Sequence, residues 1–185
     1  MKFERIEIET ERLKLRLLKS TDVNDVYEIF SDPEAMRYWS SPPMQEKSAA
    51  AEKISKVQQE YQDGEAICFG LEHRLDKKII GTCSLFRIHE TSKRAELGYI
   101  LNRSYWRQGL MQEALKALLS HFFRDLEFNR LEAEIDPRNL GSKGMLLSLG
   151  FLKEGFAPHR WIINDEVSDS EFYGLLRRDW VSVSE

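Results

Sequence analysis

Residues 95–123 hold the strongest chemical signal in this chain of 185 residues. An apolar strand, Ala95-Glu96-Leu97-Gly98-Tyr99-Ile100-Leu101, runs through a loop (Asn102 to Gln108) into Gly109 and an amphipathic helix. A helix start leaves about four backbone N–H groups without internal partners and carries a partial positive charge, so it suits a phosphate or diphosphate. Gly109 either lets a ligand approach the backbone closely or serves only as a tight entrance to the helix. Upstream, Glu96 is a carboxylate in an apolar strand. Leu97, Tyr99 and Leu101 take one face, leaving Glu96, Gly98 and Ile100 on the other. Burying a carboxylate alone is costly, so Glu96 must meet solvent, a partner such as Arg94 or Lys93, or a cleft.

Asn139 and Ser142 stand three apart at a predicted helix start, which puts their side chains on one face. Asparagine is also a favoured N-cap in its own right. Trp39, which precedes Pro42-Pro43, together with Phe86 and Trp161, are aromatic side chains for a pocket wall or for the core. Other chemistries lack their residues. There is no Gly-x-x-x-x-Gly-Lys phosphate loop, no Gly-x-Gly-x-x-Gly fingerprint and no Gly-x-Ser-x-Gly elbow. His73, His89, His121 and His159 form no i, i+4 pair, and no Cys or His cluster has metal-ligand spacing, so no metal is expected.

Composition narrows the class. With 27 basic against 31 acidic residues, the formal charge of −4 argues against direct nucleic-acid binding. Hydrophobic residues at 42% and charged residues at 31% describe a soluble globular chain. No apolar run approaches the ~18 residues of a membrane span, and Met1-Lys2-Phe3-Glu4-Arg5 lacks the apolar core of a signal peptide. Cys68 and Cys83, each in a strand-like apolar segment, read as buried thiols in a reducing, cytoplasmic setting. No repeat or linker divides the chain, so a single domain over 1–185 is expected.

The elements that must position these residues follow from periodicity. Residues 12–18 alternate as a strand, and Ser20-Thr21-Asp22 starts a helix carrying Val23, Val26, Tyr27 and Phe30. Asp32-Pro33 interrupts it. A second helix spans 45–62 and closes at Gly64. Strands are predicted at 66–73, 79–88 and 94–102, with Leu75-Asp76-Lys77-Lys78 as a hairpin turn. The helix after Gly109 runs to 123, a strand occupies 130–136, and a short helix opens at Asn139 and ends at Gly150-Phe151. Strands at 152–163 and 167–177 flank Asn164-Asp165. The expected fold is α/β (α+β): three layers, with a mixed sheet of about seven strands and helices on both faces.

Leu101 through Ala114 resembles motif A of the GNAT N-acetyltransferases, Gln/Arg-x-x-Gly-x-Gly/Ala. Trp106 stands in place of the initial Gln/Arg, and Met111 in place of the last Gly/Ala. Ala95-Glu96-Leu97-Gly98-Tyr99, Gly109-Leu110-Met111-x-Glu113-Ala114-Leu115, Asn139-x-x-Ser142 and Leu149-Gly150-Phe151-x-x-Glu154-Gly155 resemble the RimJ/RimL branch, the ribosomal-protein N-terminal acetyltransferases. Thr10-Glu11-Arg12-Leu13-x-Leu15-Arg16 and Ser31-Asp32-Pro33 do too, so the likeness covers roughly residues 8–180. The resemblance implies an acetyl-CoA-dependent enzyme without a metal. It implies that Arg107, Gln108, Gly109, Leu110, Met111 and Gln112 hold the diphosphate mainly through backbone, and that Asn139 contacts the pantetheine arm. It further implies Glu96 as general base, Ser142 near the thioester sulfur, and Trp39, Phe86 and Trp161 at the acceptor site. Many GNAT enzymes place a tyrosine acid four residues beyond Ser142; here that residue is Leu146.

Direct attack by an amine would be assisted by a backbone N–H near Ile100 or Leu101 polarising the thioester carbonyl. An α-amine of pKa near 7.7–8.0 is roughly 10–15% neutral at pH 7, whereas a lysine near 10.4 is neutral only to about 0.04%, a difference of about 3 kcal/mol. A single carboxylate base therefore favours a protein N-terminus, or another weakly basic amine, as acceptor. The alternatives are a small-molecule amine (an antibiotic, polyamine or aminoacyl conjugate) and a non-catalytic acyl-CoA sensor. The chain is expected to work away from membranes, as a monomer or homodimer.

Overall fold

The structure, a computed structural model, describes residues 6–184, with side chains to Trp180. The pentapeptide Met1–Arg5 read above lies outside the described residues. Strands β1 (Ile8–Glu9) and β2 (Leu13–Leu17) lead into a 3-10 turn at Ser20–Asp22 and helices α1 (Val23–Ser31) and α2 (Lys47–Asp63). Then come β3 (Ile67–His73), β4 (Lys78–His89), β5 (Arg94–Leu101), α3 (Leu110–Ser120), β6 (Arg130–Ile135) and α4 (Leu140–Ser148). Strands β7 (Leu152–Ile163) and β8 (Glu166–Leu176) and helix α5 (Arg177–Ser184) complete the chain.

All eight strands join one sheet in the order β1-β2-β3-β4-β5-β6-β8-β7. It has one strand more than the seven expected, because the short β1 pairs with β2 through Ile8–Leu15 and Glu9–Lys14. Only β5 and β6 run parallel, joined through α3; the other pairs are antiparallel, so the sheet is mixed. Alternation in the strands divides the apolar side chains between two clusters. Leu13, Leu15, Phe69 and Leu97 pack with the α3 stripe Leu110, Met111, Ala114, Leu115, Leu118 and Leu119. On the opposite face Leu18, Cys68, Ile79 and Ile100 pack under Val26, Ile29 and Phe30 of α1 and Ala50 and Ile54 of α2. Helices thus cover both faces, as expected. Both cysteines are free and buried.

The differences from the periodicity reading lie at chain turns. The α3 stripe extends to Phe122 as read, but the helix passes into a π-turn over His121–Asp125. The last strand stops at Leu176 and the chain turns into α5, whose Trp180 stacks on Phe123 with ring centroids 5.6 Å apart. Gly64 ends α2 in the left-handed conformation, φ +75°.

Candidate active site

The site begins where two strands part. β5 and β6 pair only through Arg94–Arg130, Ala95–Leu131 and Glu96–Glu132. β5 stays on β4 as far as Leu101, paired with Gly81, and β6 stays on β8 as far as Ile135, paired with Glu171. From Gly98 onward the two strands therefore diverge, opening a gap in mid-sheet. Two cavities meet there. One, of about 620 Å³, lies between the end of β5, the loop before α3 and the first turn of α4. The other, of about 390 Å³, lies against Phe86, Glu96, the Arg37–Pro43 loop and the β7–β8 hairpin. Leu97, Gly98, Glu134 and Ile135 border both.

On the α3 side, Gly109 is the N-cap, at φ +75°, and contributes no side-chain cap. The first bond of the helix ladder runs from Glu113 N–H to the Gly109 carbonyl at 3.0 Å, so the amides of Leu110, Met111 and Gln112 have no acceptor within the helix. An anion facing this end would be repelled by Glu113, but that carboxylate is already neutralised. It accepts hydrogen bonds from the Thr10 hydroxyl (2.6 Å), the Arg12 amide (2.8 Å) and Arg12 Nε (2.7 Å). Burial works to raise the Glu113 carboxyl, and these bonds outweigh it and hold it below the ordinary range. Arg12 Nη1 also donates to the Gln108 carbonyl at 2.9 Å, fastening the loop before the helix.

Of the residues assigned to the cofactor, Ile100, Leu101, Arg107, Met111 and Asn139 border the larger cavity, whereas Gln108, Gly109, Leu110 and Gln112 lie outside its lining, at the helix entrance. Leu110 is buried in the core and offers only its amide. The Gln108 and Gln112 amide groups donate to the Ser104 carbonyl (3.1 Å) and Ser148 Oγ (3.4 Å). Trp106 donates its indole N–H to the Leu101 carbonyl at 2.8 Å, capping the end of β5.

On the α4 side, Asn139 Oδ1 caps the helix by accepting the Ser142 amide at 3.0 Å. The Ser142 hydroxyl is 2.7 Å from the Tyr99 hydroxyl. Tyr99 is a residue that sequence reasoning passed over as core; its signal was a tyrosine on a buried strand face, whose O–H must find a partner. Burial, partly offset by the bond to Ser142, pushes Tyr99 up to about 12, so it remains a protonated donor. Leu146 is fully buried.

Glu96 lies on the opposite face, across from Phe86 in β4. Its partner is Arg87, with Nη1 2.7 Å from Oε2. The two partners considered from sequence are engaged elsewhere: Arg94 with Glu132 at 2.8 Å and Lys93 with Glu127 at 4.0 Å. A β-bulge explains the change. The β4–β5 register shifts between Phe86 and His89, and Arg87 sits there at φ +50°, which re-aims its side chain onto the Glu96 face. Burial raises the Glu96 carboxyl, Arg87 opposes that, and Glu134 and Glu132 reinforce it; the outcome is a pKa above the ordinary carboxylate range. The Phe86 ring lies over Gly98, where an added Cβ would meet ring carbon Cε1 at 3.1 Å.

Trp39, Phe86 and Trp161 all line the smaller cavity, with Trp39 set edge-on to Phe30 at 5.8 Å. Trp161 Nε1 donates to Glu134 Oε1 at 2.7 Å. A cluster absent from the sequence reading closes the rim: Glu166 accepts from Arg37 at 3.0 and 3.1 Å and from Arg138 at 2.5 Å, while Arg138 also holds Asp136. Among the described residues no group of His, Cys, Asp and Glu could hold a metal ion, and no helix is long and apolar enough to cross a membrane.

The acetyltransferase (GNAT) domain family matches residues 12–152. The uncharacterized N-acetyltransferase p20 of Bacillus licheniformis is 33% identical over 92% of this chain and 96% of its own length. The ribosomal protein uS5-alanine N-acetyltransferase of Escherichia coli is 27% identical over 95% of this chain and 93% of its own. Among solved structures, the ribosomal-protein alanine acetyltransferase of Vibrio fischeri is 25% identical, with a TM-score of 0.82 over 95% of this chain and 98% of that one. A strand pair that parts beside an uncapped helix start, on a chain matched over this length, makes the protein a member of the GNAT acetyltransferase family and an N-acetyltransferase.

Proposed function

We propose that the chain, working as one domain over residues 1–185, transfers an acetyl group from acetyl-CoA to a primary amine, and that the amine is a protein N-terminal α-amine of the alanine type. The observation that carries this reading is the β5–β6 gap, which joins a cavity reaching Met111 at the uncapped start of α3 to the one that holds the Glu96 carboxylate. Bound acetyl-CoA supplies a thioester whose carbonyl carbon forms the new C–N bond as its C–S bond breaks. The amides of Leu110, Met111 and Gln112, with Arg107 beside them, hold the diphosphate. A backbone N–H freed at Ile100 or Leu101 by the loss of β6 polarises the carbonyl oxygen. Glu96 accepts the proton that the amine must lose, directly or through a water, and its raised pKa brings it nearer that of the amine. Ser142, hydrogen-bonded to Tyr99, returns a proton to the departing sulfur.

An α-amine is easier for a single carboxylate to serve than a lysine, by the 3 kcal/mol or so that separates their deprotonation at neutral pH. The uS5-alanine relative favours the same acceptor. A small-molecule amine is the second reading, favoured by the two tryptophans on one cavity of about 390 Å³, a volume within the usual range for small ligands. Thiol release from acetyl-CoA, measured with an Ala-starting peptide, a lysine peptide with blocked N-terminus and a panel of small amines, decides between them. Preference for the Ala-starting peptide is expected. Turnover confined to small amines would replace the acceptor, and coenzyme binding without turnover of any amine would leave only a sensor.

A further inference from the structure

Glu134 has no part in the scheme above, yet it sits where the two cavities meet. Its side chain is nine-tenths buried, at 10% exposure. The bonds it accepts converge on one oxygen: Oε1 takes Trp161 Nε1 at 2.7 Å, Ser170 Oγ at 2.7 Å and Arg160 Nε at 3.4 Å. Among the described residues Oε2 has no side-chain or backbone donor within hydrogen-bond distance, and it is not one of their fully enclosed unpartnered atoms. Its second oxygen is therefore not fully enclosed, on a residue that lines both cavities. The parallel register sets its direction: Glu132 pairs with Glu96, so Glu134, two residues on, shares the Glu96 face and stands across the gap from Gly98.

We infer that Glu134 is the acceptor's ammonium anchor: through Oε2 it draws a cationic amine to the junction of the cavities and holds it beside Glu96. The inference rests on the acetyltransfer reading and adds the chemistry by which that site selects its substrate. The local charge count agrees. The residues lining the smaller cavity include the carboxylates Glu96, Glu134, Asp136, Glu166 and Asp169, against Arg37, Arg87 and Arg138. Those three arginines are committed to Glu96, Asp136 and Glu166. The two carboxylates without an arginine of the cavity lining are Glu134, whose ion pair is with Arg160 at 3.4 Å, and Asp169, which accepts the His159 amide at 2.8 Å. Burial works to raise the Glu134 carboxyl, and the bonds from Ser170, Trp161 and Arg160 outweigh it and keep it below the ordinary range, hence ionised. Glu96 shifts the other way. Two carboxylates whose environments push them apart divide the labour of holding a proton-bearing amine and taking its proton.

The test compares an alanyl peptide with its propionyl analogue, which lacks the amino group, as ligands for the protein saturated with coenzyme A. The unaltered protein is expected to bind the alanyl peptide at least tenfold more tightly. Glu134→Gln keeps the carbonyl oxygen for Trp161 and Ser170 but puts an amide NH₂ in place of Oε2. It is expected to abolish that preference and to raise the KM for the amine tenfold or more, with the KM for acetyl-CoA changed by less than twofold. Equal binding of both peptides by the unaltered protein would overturn the anchor without any variant. A preference that survives Glu134→Gln would also overturn it. Absence of turnover with every amine would instead remove the acetyltransfer reading, and the anchor with it.

Discussion

The hydroxyls of Tyr99 and Ser142 lie 2.7 Å apart and tie β5 to the first turn of α4 across the larger cavity. Ser142 alone is a poor proton donor; the tyrosine, though held at about 12, is still a stronger acid than an aliphatic hydroxyl. On the proposed scheme the serine proton given to the leaving thiolate is replaced from Tyr99, which regains its own from solvent. Tyr99→Phe is expected to lower kcat by about tenfold, less than the roughly 10²–10⁴-fold usual for a group that itself donates or accepts the proton. Ser142→Ala should lower it similarly, and the double variant by little more than either single one. Steady-state kinetics of the three variants provide the cycle; effects that simply multiply would show that the two hydroxyls act separately.

Glu96→Gln is expected to lower kcat by roughly 10²–10⁴-fold, the usual contribution of a general base. The unaltered enzyme should gain activity with rising pH through the Glu96 pKa, which lies above the ordinary carboxylate range because burial and the neighbouring Glu134 and Glu132 outweigh Arg87. Arg87→Ala removes the one cation that lowers it, so the acidic limb of kcat/KM should move to higher pH. A limb that stays in place would show that another group controls it.

Gly109→Ala tests the helix entrance. Space is not the obstacle, since an added Cβ would stand 3.6 Å from Arg12 Nη2, an ordinary contact. The obstacle is φ +75°, which costs a non-glycine residue about 1–2 kcal/mol. Relief of that strain would turn the first amides of α3 away from the cavity. The KM for acetyl-CoA should rise several-fold while the amine KM changes little, and the melting temperature should fall by a few degrees. Matching rises in both would point to general disorder at the site.

Acid sensitivity should trace in part to Glu171, which is held at about 2 by hydrogen bonds from Lys153, Tyr173 and Lys143 against the cost of burial. A carboxyl lowered in the folded state stabilises fully above its unfolded value and loses that contribution as pH falls through the folded one. The stabilisation should therefore be present at neutral pH and disappear between about 4.5 and about 2. Denaturant titration should find Glu171→Gln less stable than the unaltered protein at pH 7, with the gap closing towards pH 2. A gap independent of pH would assign the loss to packing.

Local pattern carried most of the secondary structure. The alternation in β2, the α3 stripe, the Asn139 cap and the β7–β8 turn at Asn164-Asp165, both at positive φ, are each set by residues a few positions apart. Glu96 and Ser142 stood out as candidates for the same reason: a carboxylate in an apolar strand and a polar pair at a helix start break the local pattern. Helix α5 was not legible, because Arg177-Arg178-Asp179 shows no apolar period and the helix is held by a distant contact, Trp180 stacked on Phe123.

What the sequence determined by itself is the set of elements, the alternation of faces and the uncapped helix start after Gly109. These depend on periods of two and 3.6 residues and on backbone chemistry. Tertiary structure decided who faces whom. Glu96 meets Arg87 because a bulge turns that arginine over, and Ser142 meets Tyr99 because β5 and α4 flank one gap. Glu134 gathers Trp161 and Ser170, 27 and 36 residues away, because β6 lies beside β8 and β8 beside β7. Strand order and the divergence of a parallel pair are properties of the whole sheet, and no window of neighbouring residues contains them.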